Sequence, residues 1–313
     1  MSIGETLKKI RESKGIERVD LIGDDLTSSS LSRIERGDQE PAVDKFFTIL
    51  SHLNVNLEEF SLLSEDNDIC IRSAMEIKVS EAIRQRNFKE IQRLEKEAKK
   101  YYNRFKMSYF LHAEIRLRAF ALFRENDFDS EKTRRIIEKR DIRIIREYLT
   151  SITKWHYYEL ILAIDLLYLF EIEEAFELGE RAIAAIEKDY LRFKDKELAA
   201  GILINLTIRA FEDERYLMKA YGYSSRAIGL PKSTRTLSIS VYAKAIHQVI
   251  CYKLDNGQYN RSYLLSLVNW YLLVDMEATY QEMKDFAKKH GIDLDEKAKV
   301  YTYKKDSSHL RKL

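Results

Sequence analysis

The 313-residue sequence has few of the residues that interrupt helices, with only 2 prolines and 10 glycines. Clusters of turn residues, which bound the short strands of β-proteins, are almost absent. Long helices are therefore expected along the whole chain, whose length allows one or two domains with sizeable cores. This scarcity of turn residues predicts an all-α protein.

Cysteine is also scarce. Cys70 and Cys251 are the only two, and they lie far apart in sequence and match no metal-ligand spacing. The six histidines are scattered, at positions 52, 112, 156, 247, 290 and 309. We therefore expect no metal site, no cofactor and no structural disulfide, and a reduced, cytoplasmic location.

Long apolar runs are missing as well. The most apolar segment, LILAIDLLYLF at 160–170, is too short to span a bilayer and contains Asp165. The first residues, MSIGETLKKIRESKG, are charged and lack the apolar stretch of a signal peptide. There is no Gly-rich phosphate loop, nucleophile elbow or HExxH motif. We expect neither a membrane protein nor an enzyme.

Residues 1–65 contain the pattern of five short amphipathic helices. Apolar residues recur at helical spacing in them: Ile3, Leu7 and Ile10 in the first, Leu21 and Leu26 bracketing the second, Leu31 and Ile34 in the third, and Phe46, Phe47, Leu50 and Leu53 in the fourth. Gly15 and Gly37 are placed to end the first and third helices, Pro41 precedes the fourth, and Asn56 can cap the fifth.

The third helix, in the segment TSSSLSRIERG at 27–37, has an unusual outward face. Thr27 is a good N-cap and the apolar residues face inward, so the hydroxyl and guanidinium groups point outward. Hydroxyls can contact base edges and phosphates, and arginine can bind guanine or phosphate through two N–H groups. We predict base contacts by Ser28, Ser29, Ser30 and Arg33, with Ser32 on the same face, and phosphate contacts by Lys8, Arg11, Arg36 and Lys45. Such a helix beyond a tight turn is what a helix-turn-helix requires.

The charge of this segment is unusual for a DNA-binding domain. Residues 1–66 contain 8 basic and 14 acidic residues, a net charge of −6, while the rest of the chain carries +8. Because such domains are usually basic, this one alone should have weak non-specific affinity for DNA. Two interpretations stay open: the acidic side chains lie away from the DNA and a dimer supplies a second half-site, or the domain binds protein. Arg33 and Arg36 on the outward face favour the first.

Beyond residue 66 the sequence predicts helical repeats. Breaks recur roughly every 40 residues, near Asn87, Asn126, Phe170, Asp213 and Asn256. Each helix pair between breaks leaves an apolar face that stacking on its neighbour would bury. We therefore predict that residues 66–313 form a TPR-like right-handed α-solenoid, although no strict tetratricopeptide consensus is present.

Three helices of this region carry polar residues one turn apart in apolar surroundings. The pairs are His112 and Arg116, Asn205 and Arg209, and Lys244 and Gln248. On the concave side of a solenoid they would be suited to a short extended peptide, because an asparagine amide both donates and accepts hydrogen bonds. The alternative, that they are solvated or paired internally, is favoured for the first and third pairs, whereas Asn205 favours binding.

The first region resembles a known DNA-binding class. IGETLKKIRESKG and LTSSSLSRIERGDQEPAVDKFFTILSHLNVNLEEF are similar to the phage-repressor-type (XRE, lambda-repressor-like) domain, for which SRIERG is the hallmark. This resemblance implies a buried ion pair between Arg11 and Glu35 that fixes the first helix against the third. Ile22 departs from the pattern, because most members have a small alanine there.

The whole chain resembles the Rgg/MutR/GadR regulators of Gram-positive bacteria. The further likeness lies in W-x-x-Y-E-L at 155–160 and I-N-L around Asn205. The resemblance implies a homodimeric transcription regulator that binds an inverted repeat in double-stranded DNA and senses a peptide pheromone, with Asn205 holding the peptide backbone. Some relatives join their DNA-binding domains through a cysteine where this chain has Val43. The alternative is a protein-binding scaffold whose helix-turn-helix serves dimerisation.

Overall fold

The computed structural model describes residues 2–294 apart from 24–25, 65–67, 69, 127, 190–192 and 231–236. The described residues form sixteen α-helices, three 3-10 turns and no strand, which confirms the prediction of an all-α fold. None of these helices is long and apolar enough to cross a membrane. The chain divides into two compact units, Met1–Arg146 and Glu147–Leu313. The predicted domain boundary near residue 65 stays a prediction.

The first unit begins with four α-helices in the predicted helix-turn-helix segment. They are α1 (Ile3–Ser13), α2 (Ser28–Glu35), α3 (Val43–His52) and α4 (Leu57–Leu63). Leu7, Leu31, Ile34, Leu50 and Phe60 are buried together in one core, so each helix contributes its apolar stripe.

The second predicted helix is not an α-helix. A 3-10 turn, Arg18–Leu21, ends where the helix bracketed by Leu21 and Leu26 was expected to begin, and Gly23 and Leu26 form an isolated antiparallel bridge. Both leucines are nevertheless buried. Their spacing of five does not fit the helical period, and Gly23 between them weakens a helix. The five predicted helices are therefore four α-helices and one 3-10 turn.

The remaining helices follow one another with short connections. They are α5 (Ile71–Arg84), α6 (Phe88–Phe105), α7 (Ser108–Glu125), α8 (Ser130–Ile136), α9 (Lys139–Ser151), α10 (Tyr157–Leu166), α11 (Ile172–Asp189), α12 (Phe193–Phe211), α13 (Leu217–Gly229), α14 (Leu237–Leu254), α15 (Arg261–Leu273) and α16 (Glu277–Lys289). In the second unit α12 packs on both neighbours and also on α10 and α14. Contacts between alternate helices are typical of stacked helix pairs. All five predicted breaks lie between helices.

Polar caps explain where several of these helices begin. The side-chain oxygens of Asn87, Asp129 and Asn260 accept hydrogen bonds from backbone N–H groups three residues ahead, at 2.9 to 3.2 Å. Lys106 ends α6 in the left-handed conformation, with φ of 55°. In a chain with few prolines and glycines, polar caps and left-handed residues such as these mark the ends of the helices.

Both cysteines are free and buried, Cys70 just before α5 and Cys251 within α14. Burial raises the pKa of each thiol. The two thiols are therefore shielded from solvent and predominantly protonated at neutral pH.

Candidate functional site

The predicted DNA-reading surface lies on α2. The hydroxyl oxygen of Thr27 accepts a hydrogen bond from the Ser30 N–H at 3.2 Å and caps the helix. Gly37, with φ of 76°, ends it and donates its N–H to the carbonyl oxygen of Ile34 at 2.9 Å. Leu31 and Ile34 are fully buried. The opposite face of α2 is consequently turned to solvent.

The outward face of α2 carries a guanidinium group among hydroxyls. Ser28, Ser29 and Arg33 are exposed, and Ser30 and Ser32 are half-buried. Ser29 also shares a hydrogen bond with the capping threonine at 3.2 Å. The guanidinium of Arg33 forms no ion pair within the described part of the chain. It can therefore bind a base or a phosphate without displacing a carboxylate.

Three predicted phosphate contacts are reachable from solvent. Arg36 is exposed and pairs with Asp38, at 2.9 Å between Nε and Oδ2. Lys8 is half-buried with its Nζ 4.0 Å from Glu12, and Lys45 is also half-buried. Exposed pairs of this kind are weak, so a phosphate can compete with these carboxylates.

Arg11 and Glu35 form a buried ion pair. The Nε of Arg11 donates to Oε1 of Glu35 at 2.6 Å, and its Nη2 donates to Oε2 at 3.2 Å. Arg18 adds a third hydrogen bond to Oε2 at 2.8 Å. Burial opposes ionisation of Glu35, but the hydrogen bonds from the two arginines outweigh it and lower the pKa of the carboxyl group. The pair ties α1 to α2 as the resemblance implied.

The same pair occupies a residue that we predict to bind phosphate. Arg11 was expected to bind phosphate, yet it is only 7% exposed, and its Nη1 donates to the carbonyl oxygen of Ile16 at 3.0 Å. Most of its N–H groups are already used inside the domain. Arg11 therefore positions α2, and we leave it out of the DNA-contacting set.

Gly4 allows α1 to approach α2 closely. A Cβ atom built on Gly4 would overlap the carbonyl oxygen of Ile34, so no larger residue fits without a shift of the helices. Together with the ion pair, this contact holds the reading helix in a defined orientation.

His112 and Arg116, predicted to bind a peptide, lie in the first unit and are both buried. The Nη1 of Arg116 on α7 donates to both carboxylate oxygens of Glu76 on α5, at 3.2 and 3.4 Å. Arg116 joins two helices in the interior. The structure therefore supports the alternative of internal pairing for these two residues.

Asn205 lies on α12 in the second unit and is half-buried. Its Nδ2 donates to the carbonyl oxygen of Ile164 on α10 at 2.7 Å. Ile204 and Ile208, which the sequence-based reasoning overlooked, are also half-buried on α12. Part of the amide and a short apolar stripe therefore stay within reach of a ligand.

The other predicted ligand residues of the second unit are mainly structural. Arg209 is buried, pairs with Glu212 and donates to the carbonyl oxygen of Phe170 at 3.0 Å. Gln248 is buried, and its Oε1 accepts from the Asn260 N–H at 2.7 Å. Neither side chain faces open solvent, and both have hydrogen-bond partners within the second unit.

Lys244 lies one turn before Gln248 on α14 and is half-buried. It forms no ion pair with any residue that the structure describes. Among the four predicted residues of the second unit, only Asn205 and Lys244 are therefore still reachable.

The W-x-x-Y-E-L segment has a structural role. The Nε1 of Trp155 donates to the carbonyl oxygen of Leu149 at 3.1 Å, and the guanidinium of Arg181 lies 4.7 Å from the Trp155 ring centre. Glu159 accepts a hydrogen bond from the Tyr148 hydroxyl at 2.6 Å. These contacts join the end of α9 to the beginning of α10.

Two family models match different parts of the chain. Residues 7–60 match the family described as "Helix-turn-helix", and residues 91–225 match "HTH-type transcriptional regulator Rgg, C-terminal domain". Both descriptions are those of a helix-turn-helix transcriptional regulator. The chain therefore contains, in this order, the two parts of an Rgg-type helix-turn-helix regulator.

Several solved structures share the fold. A putative transcriptional regulator from Listeria monocytogenes EGD-e matches with 17% identity and a TM-score of 0.69, over 92% of this chain and 96% of that one. The SHP pheromone receptor Rgg2 of Streptococcus dysgalactiae matches with 17% identity and a TM-score of 0.61, over 92% and 99%. PlcR of Bacillus thuringiensis, in complex with the peptide PapR7 and DNA, matches with 16% identity and a TM-score of 0.61, over 90% and 98%.

Proposed function

We propose that this regulator binds double-stranded DNA sequence-specifically, as a homodimer on an inverted repeat. The observation that carries the proposal is the exposed face of α2. Ser28, Ser29 and Arg33 are available for base edges, and the guanidinium of Arg33 has no carboxylate partner among the described residues. In this proposal Lys8, Arg36 and Lys45 contact phosphates.

The fixed orientation of α2 supports base reading. A helix in the major groove must hold its side chains within a fraction of an ångström of the base edges, which needs a rigid scaffold. Gly4 and the Arg11–Glu35 pair provide such a scaffold, because they join α1 to α2 by close packing and by buried hydrogen bonds. A two-fold dimer would place two such helices about 34 Å apart, one turn of DNA.

The first experiment is an unbiased search for the binding site. Purified protein is mixed with fragmented genomic DNA at roughly 150 mM salt, and the retained DNA is sequenced. We expect enrichment of one inverted repeat. Arg33→Ala should lower selectivity for this repeat by about 1–3 kcal/mol without changing the fold. Arg84→Ala is the control, because Arg84 is also exposed but lies on α5. Equal selectivity of wild type and Arg33→Ala would refute the role of α2.

We also propose that the second unit binds a short peptide beside Asn205 and that the peptide changes DNA binding. The support is the half-buried amide of Asn205 next to Ile204 and Ile208, together with the similar PlcR structure, which contains a peptide and DNA. A peptide shifts DNA binding only if it binds one arrangement of the dimer more tightly than another.

Calorimetry with synthetic peptides tests this second part. The peptides are those encoded near the enriched repeat. Asn205→Ala should weaken binding of the active peptide and leave DNA binding without peptide unchanged. Asn126→Ala is the matched control, because its Nδ2 donates to the carbonyl oxygen of Leu122, also at 2.7 Å, but in the first unit. Equal peptide affinity of Asn205→Ala and wild type would remove Asn205 from the site.

The net charge of −6 in residues 1–66 favours a second candidate, a protein-binding scaffold whose helix-turn-helix serves only dimerisation. This candidate gains support if the protein is a stable dimer by analytical ultracentrifugation and enriches no DNA with or without peptides.

A further inference from the structure

Helix α6 has an exposed face made of lysines. Lys89, Lys96 and Lys100 are all exposed, and at 100° per residue they lie within about 40° of one another around the helix. Gln92 and Asn103 lie on the same face and are also exposed. The face is thus basic and polar, with no apolar residue among these five.

The lysines of this face have no carboxylate partner among the described residues. The three carboxylates of α6 are paired with arginines: Glu90 with Arg93 at 2.6 Å, Glu97 with Arg93 at 2.7 Å, and Glu95 with Arg118 of α7 at 3.2 Å. The carboxylates of α6 are therefore used by arginines, and the three lysines are left without an ion-pair partner among the described residues. Three adjacent positive charges without a partner repel one another and attract an anion.

The packing of α6 fixes this face outward. Ile91, Leu94 and Ala98 are fully buried on the other side of the helix. α6 packs on α5 and α7 within the first unit, which also contains α2. Rotating α6 to bury the lysines would expose these three apolar residues, so the lysines stay in solvent as long as the helix is folded.

We propose that Lys89, Lys96 and Lys100 form a phosphate-binding face for the backbone of double-stranded DNA. The proposal rests on the proposed function, since it concerns the same DNA partner. It assigns part of the sequence-independent attraction to α6, because residues 1–66 carry a net charge of −6 and repel DNA at long range.

The spacing of the lysines suits a regular polyanion. At 1.5 Å per residue, Lys96 lies about 10 Å along the helix from Lys89, and Lys100 about 6 Å further. Double-stranded DNA carries one charge per roughly 1.7 Å of its axis, so flexible lysine side chains at these intervals all find a phosphate.

The composition of the face favours DNA over an acidic protein. Protein interfaces have a desolvated centre enriched in aromatic and apolar residues, and charged residues are depleted there. This face contains three lysines, Gln92, Asn103 and the paired Arg93, and none of these residues is apolar. Binding to phosphate needs no apolar centre, because it is driven by the release of counterions.

The test measures affinity for a random-sequence duplex by fluorescence anisotropy over a range of salt concentrations. The variant is the triple change Lys89→Gln, Lys96→Gln and Lys100→Gln. The control is Lys253→Gln, Lys288→Gln and Lys289→Gln, which removes the same charge from exposed lysines of the second unit. We expect the magnitude of the negative slope of log affinity against log salt to decrease by about 2 to 3 for the α6 variant, because each lost phosphate contact contributes about 0.9. The control should keep the wild-type slope. Circular dichroism checks that both variants are folded.

An unchanged slope, or an equal loss in the control, overturns the proposal. An α6 variant that keeps its slope but loses self-association would indicate that the face binds an acidic protein surface, which also overturns it. The ratio of the affinities for the enriched repeat and for the random duplex distinguishes a failure of this proposal from a failure of the proposed function. That ratio should be unchanged in the α6 variant and lost in Arg33→Ala. If the wild-type protein binds both duplexes equally well and the α6 variant still has a smaller salt dependence, the proposed function is refuted and the α6 proposal stands.

Discussion

Arg11 meets Glu35 through two hydrogen bonds, from Nε at 2.6 Å and from Nη2 at 3.2 Å, in the forked geometry that guanidinium and carboxylate groups favour. One residue lies on α1 and the other at the last position of α2. The orientation of the outward serines and of Arg33 therefore depends on a buried charge pair.

Glu35→Ala should lower the free energy of unfolding by about 3–5 kcal/mol, because it leaves the buried guanidinium of Arg11 without its counter-charge. Urea unfolding followed by circular dichroism measures the change. Glu12→Ala is the control, since Glu12 is exposed and lies next to Arg11. The double change Arg11→Met and Glu35→Leu should recover part of the loss. Wild-type stability of Glu35→Ala would contradict this account.

Gly4→Ala should destabilise the protein, because its methyl group would overlap the carbonyl oxygen of Ile34. Gly222→Ala should have the opposite effect, a gain of about 0.5–1 kcal/mol, because Gly222 lies within α13 with nothing within 4 Å of the added methyl group. The melting temperatures of the two variants test the pair. Equal shifts in the same direction would show that the α1–α2 approach is not tight.

His290 should make the protein less stable in acid. Burial against Phe211 and Phe286, helped by the nearby charges of Lys253 and Lys289, lowers its pKa from 6.5 to about 4. Between these two pH values the unfolded chain binds a proton that the folded chain does not, so stability falls as the pH falls through this range. The melting temperature of His290→Phe should fall less across it than that of wild type. Parallel curves would exclude a contribution from His290.

Arg209→Ala should lower stability rather than act first on ligand binding. The change removes the hydrogen-bond donor of the buried Phe170 carbonyl group and the ionic partner of Glu212, at a cost of about 1–3 kcal/mol. Arg215→Ala should leave the melting temperature nearly unchanged, because the pair of Arg215 with Asp213 is exposed. If Arg209→Ala melts like wild type but binds the peptide less well, the earlier ligand prediction is restored.

Much of the fold follows from local sequence signals. Thr27 caps α2 and Gly37 ends it because caps and left-handed stops depend on one residue and its immediate neighbours. The second helix was predicted wrongly, since the burial of Leu21 and Leu26 is decided by the surrounding core and not by helical periodicity.

The binding residues were harder to predict than the helices. Arg116 and Gln248 have the helical spacing of groove residues, but their partners Glu76 and Asn260 come from other elements that spacing does not reveal. The second partner of Glu35, Arg18, lies in a 3-10 turn for which the sequence has no periodic pattern. A polar residue on an apolar helix therefore indicates that its side chain has a polar partner. Only the packing of the other elements decides whether that partner is a ligand or another residue of the chain.

The shielding of both thiols makes the chain suitable for distance spectroscopy. With Cys70 and Cys251 buried and protonated, a cysteine introduced at the exposed Val19 would react with a spin label far faster than either native one. Two labels in the proposed homodimer would give a single inter-subunit distance, and its distribution with and without a candidate peptide would follow the spacing of the two N-terminal domains in solution.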